Sequence, residues 1–289
     1  MRCRLLSAVV AALLVPGTGL AQQRVPIRVE QDIVFGRGGD TELKLDLARP
    51  DNGAGPFPAV ICLHGGGWVG GDRKQMAQTI EVLARRGYVA VTPDYRLAPR
   101  HRFPAPVEDC KAAVRWLRAN AGKYKVDPGR IGVVGFSAGA HLACLLGVTD
   151  KADGLEGKGG NPEQSSRVRA VVSFFGPTDL TQRVWSKEVE EKNLVPLLGG
   201  TLDQRPEAYR KASPLTYAGK GAAAFLFLHG TEDPVVPLRQ AQDLADKLTK
   251  AGVSARVIEV PGEGHGWRGP NLLWSLDQML TFFDEKLKK

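Results

Sequence analysis

The sequence predicts an α/β fold: one domain on an eight-stranded, mostly parallel sheet with helices on both faces. Three observations carry this. Strand and helix patterns alternate from Arg28 to the C-terminus, an order that implies parallel strands joined by helical crossovers. Ala59–Leu63 is a continuous apolar run, as a strand covered on both faces requires. The 289 residues are 43% hydrophobic and 24% charged, which disfavours disorder or a coiled coil for the whole chain.

In chain order, Ile33–Phe35 and Leu43–Leu47 alternate in polarity around the turn Gly36–Asp40 and read as an antiparallel hairpin. Ala59–Leu63 is the third strand. Met76–Arg86 has helical spacing and stops at Gly87. Tyr88–Thr92 is a strand, and Pro106–Asn120 is an amphipathic helix through Val107, Ala113, Val114 and Leu117. Strand Ile131–Phe136 leads into helix Ala138–Leu146. Val168–Phe174, Ala224–Leu228 and Ala255–Val260 are the remaining strands, with helices Pro237–Ala251 and Leu272–Leu287. Two stretches break the rhythm. Asp150–Ser166, rich in Gly, Lys and Glu, reads as an exposed loop. Thr181–Lys220 is far longer than an ordinary crossover loop and is expected to cover part of a site.

The N-terminus reads as an export signal: Arg2 and Arg4, an apolar run from Leu5 to Val15, and a small-residue cleavage site ending at Ala21. Residues 22–289 are then the mature chain, secreted or periplasmic. The formal charge of +8 falls to +6 with the loss of Arg2 and Arg4. Lys and Arg are dispersed and match no nucleic-acid motif, and no apolar run reaches the ~18 residues of a membrane span. The mature cysteines are Cys62, Cys110 and Cys144. Cys62 reads as a buried small hydrophobe; a Cys110–Cys144 disulfide is compatible with export but is not established by sequence. No Cys-x-x-Cys spacing supports a metal site, and the chemistry below calls for no cofactor.

Gly135-Phe136-Ser137-Ala138-Gly139 follows an apolar strand and opens a helix. A serine on that sharp turn stands exposed at the C-terminal edge of the sheet. It needs a base, and His265, in the Gly-rich loop Pro261–Trp267 after the last strand, reaches the same edge. His229 and His141 read as packing or capping residues, His101 as a surface residue and His64 as a loop brace. The acid that orients the base is expected to be Asp233, directly after the seventh strand, with Asp179 as the alternative. His64-Gly65-Gly66-Gly67-Trp68 follows the third strand. Its bare amides suit an oxyanion, joined by the amide of Ala138 after the nucleophile. Trp68 and Trp267 flank the two loops and are expected substrate contacts. Trp185, Leu194, Leu197 and Tyr209 are apolar candidates for a wall of the site, with core packing as their alternative.

These segments, with Asp94-Tyr95-Arg96-Leu97-Ala98-Pro99 and Phe103-Pro104-Ala105-Pro106 before Asp109, resemble the alpha/beta-hydrolase superfamily. The similarity is closest to hormone-sensitive-lipase-like and acetyl-xylan/feruloyl esterase-like (BD-FAE-type) serine esterases. It implies an alpha/beta-hydrolase fold, oxyanion donors at Gly66, Gly67 and Ala138, and loop-bracing roles for Asp94, Tyr95 and Asp109. A large N-terminal cap is not expected, because the residues before His64 are spent on the hairpin. The elbow continues Gly139-Ala140-His141 where the family usually has a glycine pair. The implied activity is removal of short acyl groups, acetyl or feruloyl, from polysaccharide or similar bulky alcohols. General short-chain carboxylesterase activity is the alternative, then an amide-directed arylformamidase or peptidase reaction.

Overall fold

Neighbouring residues of the central strands point to opposite sides of the sheet, and in this chain both sides are apolar. The computed structural model describes residues 25–289; the segment read above as an export signal lies outside them. Its strands are β1 (Ile27–Gly38), β2 (Thr41–Pro50), β3 (Phe57–Leu63), β4 (Val89–Pro93), β5 (Val126–Phe136), β6 (Ala170–Phe174), β7 (Ala224–Gly230) and β8 (Ala255–Val260). The five long helices are α1 (Ala77–Arg85), α2 (Ala105–Ala119), α3 (Ala138–Val148), α4 (Arg239–Lys250) and α5 (Gly269–Leu287). The sheet order is β1-β2-β4-β3-β5-β6-β7-β8. β1 pairs with β2 and β2 with β4 antiparallel; the other pairs are parallel. This is the alpha/beta-hydrolase fold.

Ala59, Ile61 and Leu63 of β3, Val133 of β5 and Phe225 and Phe227 of β7 pack with α2, α3 and α4. Val60, Cys62, Val134, Val172 and Leu226 face the other way, onto Met76 just before α1, Ile80 and Leu83 of α1, and Met279, Phe282 and Phe283 of α5. The chain leaves β3 toward β4 on one side and runs from β5 to β8 on the other. The loops after β3 and β5 therefore part at a switch point, where such sheets form a crevice at the carboxyl ends of their strands. Among the described residues no helix is long and apolar enough to cross a membrane.

Several elements differ from the sequence reading. β1 is longer than Ile33–Phe35 because two register irregularities, at Glu30/Ile33 and Val34/Gly36, shift the phase of its alternation. β5 starts at Val126, earlier than expected, because Pro128 and Gly129 mask a segment whose Val126 already pairs with Phe57. The Asp150–Ser166 stretch is anchored rather than free. Glu156 is held by Lys111 and Arg115 of α2, both almost wholly buried, at 2.8 Å each. The Thr181–Lys220 insertion forms short helical segments at Lys187–Val189, Glu190–Leu194, Val195–Leu198, Pro206–Ala212 and Pro214–Tyr217. Leu194, Leu197 and Tyr209 are core residues there, and Trp185 packs against that core. Among the described residues Cys62, Cys110 and Cys144 are free and buried, so the Cys110–Cys144 disulfide is not formed.

Candidate active site

Ser137 occupies the turn between β5 and α3 at φ 52°, ψ −118°, a region a side chain rarely adopts and that surrounding structure must enforce. Space dictates the glycines on either side. A Cβ on Gly135 would lie 2.1 Å from the Gly139 carbonyl oxygen, and one on Gly139 would lie 2.3 Å from the His64 carbonyl oxygen. The elbow closes only without those carbons. It also sets the start of α3 directly against the end of β3.

Ser137 Oγ lies 2.8 Å from His265 Nε2, and His265 Nδ1 lies 2.8 Å from Asp233 Oδ2. An ionised carboxylate only accepts, so Nδ1 carries the imidazole proton and Nε2 is left to accept from the serine hydroxyl. Asp233 is itself fixed. Its Oδ1 accepts from the amides of Val235 (2.8 Å) and Val236 (2.9 Å). The buried His229 donates Nε2–H to the Val236 carbonyl at 2.8 Å and lies 3.3 Å from Asp233 Oδ2. Burial alone would raise the Asp233 pKa. The donors from His229, His265 and Val236 outweigh it and hold the carboxyl well below its ordinary range. Phe175 packs edge-on against the His265 ring at 4.8 Å between centroids.

The loop after β3 turns at Gly66, with φ 117° and no room for a Cβ, which would meet the Gly70 carbonyl at 2.2 Å. The Gly66 carbonyl accepts from the amides of Val69 and Gly70. His64 stacks on Tyr95 at 4.2 Å and donates Nδ1–H to the Gly65 carbonyl at 2.7 Å, while the Tyr95 hydroxyl donates to the His64 carbonyl at 2.9 Å. Among the described residues the amides of Gly66, Gly67 and Ala138 have no intramolecular acceptor, so three donors stay free beside Ser137. The bracing residues are tied as expected of loop supports. Asp94 pairs with Arg73, and Asp109 with Arg96 at 2.8 Å.

Trp68 and Trp267 correct the sequence reading. Both are buried, at 4% and 7% exposure. The Trp68 indole donates to His141 Nδ1 at 3.1 Å and the Trp267 indole to Ser275 Oγ at 3.0 Å. Each turns inward, with its indole N–H bound to a buried partner. Asp179 accepts from the amide and hydroxyl of Thr181 and the hydroxyl of Ser213; it caps its own loop.

One support, Asn193, went unseen in the sequence, and a second, His141, is the packing residue expected but joins more elements than its position suggested. Asn193, from the insertion, donates Nδ2–H to the Gly67 carbonyl at 3.3 Å. His141 accepts from Trp68 and donates Nε2–H to the Ala212 carbonyl at 2.7 Å, so α3, the oxyanion loop and the insertion share one side chain. Burial lowers its pKa from 6.5 to about 4, and the two bonds need the neutral ring. The length of the insertion was the sequence signal for Asn193; none marks which residue reaches the loop.

A model of the BD-FAE family matches residues 45–248. Among curated proteins, esterase LipC of Mycobacterium tuberculosis is 36% identical over 236 residues, covering 80% of this chain and 58% of LipC. The chain spans about three-fifths of the length of the curated relatives it matches. Among solved structures, a truncated carbohydrate esterase from gut microbiota superposes with TM-score 0.80 at 28% identity, covering 92% of this chain and 99% of that one. Thermogutta terrifontis esterase 2, phosphonylated by sarin, superposes with TM-score 0.77 at 29% identity, covering 91% and 96%.

Proposed function

Because the chain belongs to the BD-FAE family, we propose that it is a secreted serine carboxylic ester hydrolase that removes short acyl groups, acetyl or feruloyl, from polysaccharide or similarly bulky alcohols. The observation that carries this reading is the continuous hydrogen-bonded line Ser137–His265–Asp233 beside three free amides. Likeness to a carbohydrate esterase from gut microbiota supports the substrate class, and the pattern at residues 2–21 supports export.

Ser137 Oγ attacks the ester carbonyl carbon as its proton passes to His265 Nε2. Asp233 stabilises the imidazolium and keeps the ring in its working tautomer. Charge building on the carbonyl oxygen is met by the amides of Gly66, Gly67 and Ala138, which need no reorganisation to receive it. The tetrahedral intermediate collapses, His265 protonates the leaving alcohol, and the acyl group remains on Ser137. Water, deprotonated by the same imidazole, then releases the acid and restores the serine. General short-chain carboxylesterase activity is the second reading, favoured by the likeness to Thermogutta terrifontis esterase 2.

The test is Ser137→Ala against wild type on p-nitrophenyl acetate, acetylated xylan and a feruloylated arabinoxylan fragment. Loss of all ester turnover in the variant, with release of acetate or ferulate from polymer by the wild type, is expected. Full turnover by Ser137→Ala refutes the mechanism. Turnover of p-nitrophenyl acetate with none on polymer leaves the second reading.

A further inference from the structure

The loop that presents the Gly66 and Gly67 amides is fastened at both ends to one dipeptide. At its start, His64 stacks on Tyr95 at 4.2 Å, and its carbonyl accepts from the Tyr95 hydroxyl at 2.9 Å. At its end, Arg73 donates its backbone N–H to Asp94 Oδ1 at 3.1 Å, and its Nη1 pairs with Asp94 Oδ2. Asp94 and Tyr95 are neighbours in the chain, so the two anchors keep the ends of the loop at a fixed spacing. Gly71 closes it. At φ 93°, a Cβ there would lie 2.5 Å from His64 Nδ1 and 2.6 Å from the Gly65 carbonyl oxygen.

Arg73 does more than meet Asp94. Its Nε donates to Asp46 Oδ1 of β2 at 3.0 Å, and its Nη2 pairs with Asp32 of β1. Its carbonyl accepts from the Thr92 hydroxyl of β4 at 3.2 Å. Asp32 stands at φ 57° beside the register irregularity at Glu30/Ile33, in the left-handed region that Asp tolerates better than most residues. The Asp32 amide donates to the same Asp46 Oδ1 at 2.9 Å. Three strands therefore converge on one side chain. The β1–β2 ladder runs from Ile27–Pro50 to Gly38–Thr41 by its own pairing; what Arg73 adds is an anchor for the loop.

Resting on the serine esterase reading, we infer that Arg73 is a positioning residue for the reaction: its guanidinium, spread over Asp32, Asp46 and Asp94, fixes the loop so that the Gly66 and Gly67 amides meet the tetrahedral oxyanion. It acts through the loop and not on the ester. The arrangement needs a guanidinium. Carboxylates on separate strands are met by Nε, Nη1 and Nη2 held in one rigid plane, whereas an ammonium presents a single nitrogen. Donors aimed at charge that develops only in the transition state raise kcat without tightening substrate binding. A loosened anchor therefore lowers kcat and leaves KM in place.

The test compares wild type, Arg73→Lys and Asp32→Asn in kcat and KM on p-nitrophenyl acetate, in Ki for phenylboronic acid, and in urea unfolding. A boronic acid adds to the serine oxygen and becomes a tetrahedral anion, so its affinity reads the oxyanion donors. Arg73→Lys keeps the charge that the carboxylates require and removes the planar fork. Asp32→Asn keeps a residue suited to φ 57° and removes one arm of the anchor. The Asp32 side chain is 67% exposed, so this variant folds. The fall in kcat is expected to be on the order of tenfold in Arg73→Lys and about threefold in Asp32→Asn, below the roughly 10²–10³-fold cost of losing a whole oxyanion donor. Ki should rise in step, with KM close to that of wild type. Unchanged kcat and Ki in folded variants overturn the inference, and so does a fall in stability with no change in Ki. If Arg73→Lys does not fold, Asp32→Asn decides alone. A wild type that neither hydrolyses the ester nor binds the boronate overturns the esterase reading itself, before either variant is compared.

Discussion

Asp233→Asn preserves the shape of the acid while removing its charge, and the surroundings of Asp233 make the outcome calculable. Oδ2 accepts from His265 Nδ1 and faces His229 Nε2, and Oδ1 accepts from two backbone amides. Every neighbour is a donor. An asparagine has one acceptor oxygen to offer and must set its NH₂ against one of these pairs. With the oxygen on the amides of Val235 and Val236, the NH₂ faces His265 Nδ1. That nitrogen must then accept, so the proton moves to Nε2, which cannot take a proton from Ser137. In the flipped orientation the NH₂ confronts two backbone donors. The wrong tautomer is the milder conflict, and its expected consequence is a loss of about 10⁴-fold in kcat, or ~5.5 kcal/mol of transition-state stabilisation at 1.36 kcal/mol per tenfold. The mismatched donors should cost a further 1–3 kcal/mol of stability, roughly the penalty of an unsatisfied buried group. Initial rates on p-nitrophenyl acetate measure the first effect and urea unfolding the second. A folded Asp233→Asn variant within tenfold of wild-type kcat refutes the assignment of the acid. So does an equal loss in Asp179→Asn, which should leave the rate near that of wild type.

Other outcomes follow from the supports of the site. His141 is neutral in the fold with its pKa lowered from 6.5 to about 4, so the unfolded chain binds the extra proton between those values. Stability is fully present above pH 6.5 and falls by about 3 kcal/mol as pH drops to 4; urea unfolding of wild type across that range should show the slope and His141→Phe should lack it. The depressed Asp233 carboxyl acts in a more acidic window. Its contribution is present above the ordinary carboxylate value and lost as pH falls through its lower folded value, so the stability gap between wild type and Asp233→Asn should shrink below about pH 4. Glu156→Gln leaves Lys111 and Arg115 without their counter-charge and should cost about 3 kcal/mol in urea unfolding, with specific activity retained. Asn193→Ala removes the donor to the Gly67 carbonyl, a loss of about 1 kcal/mol. It should lower kcat/KM about fivefold, equally for acetate and longer esters.

The parts of the site that were legible in the sequence are those whose geometry is local. Gly135, Ser137 and Gly139 announce a strand-to-helix elbow because the close approach to Gly139 and His64 admits no Cβ. Asp233 and His265 were found by following the strands to one edge of the sheet. Aromatic residues beside the loops were misread because proximity along the chain says nothing about direction. Trp68 and Trp267 stand next to the right glycines and turn into the core, where His141 and Ser275 accept their N–H groups. Asn193 is a polar residue in an irregular segment, with no period or motif to mark it.

His141 bears on how this scaffold can be altered. Its two ring nitrogens link the oxyanion loop, through Trp68, to the Ala212 carbonyl of the insertion, and Asn193 closes the same circuit from the other end. The insertion is therefore not an exchangeable module. A segment grafted in its place leaves the Gly66–Gly67 loop braced only if it restores an acceptor for the His141 Nε2–H and a donor for the Gly67 carbonyl. Without them, every chimera carries a second change, a loosened loop after β3, whatever else the new segment was meant to supply.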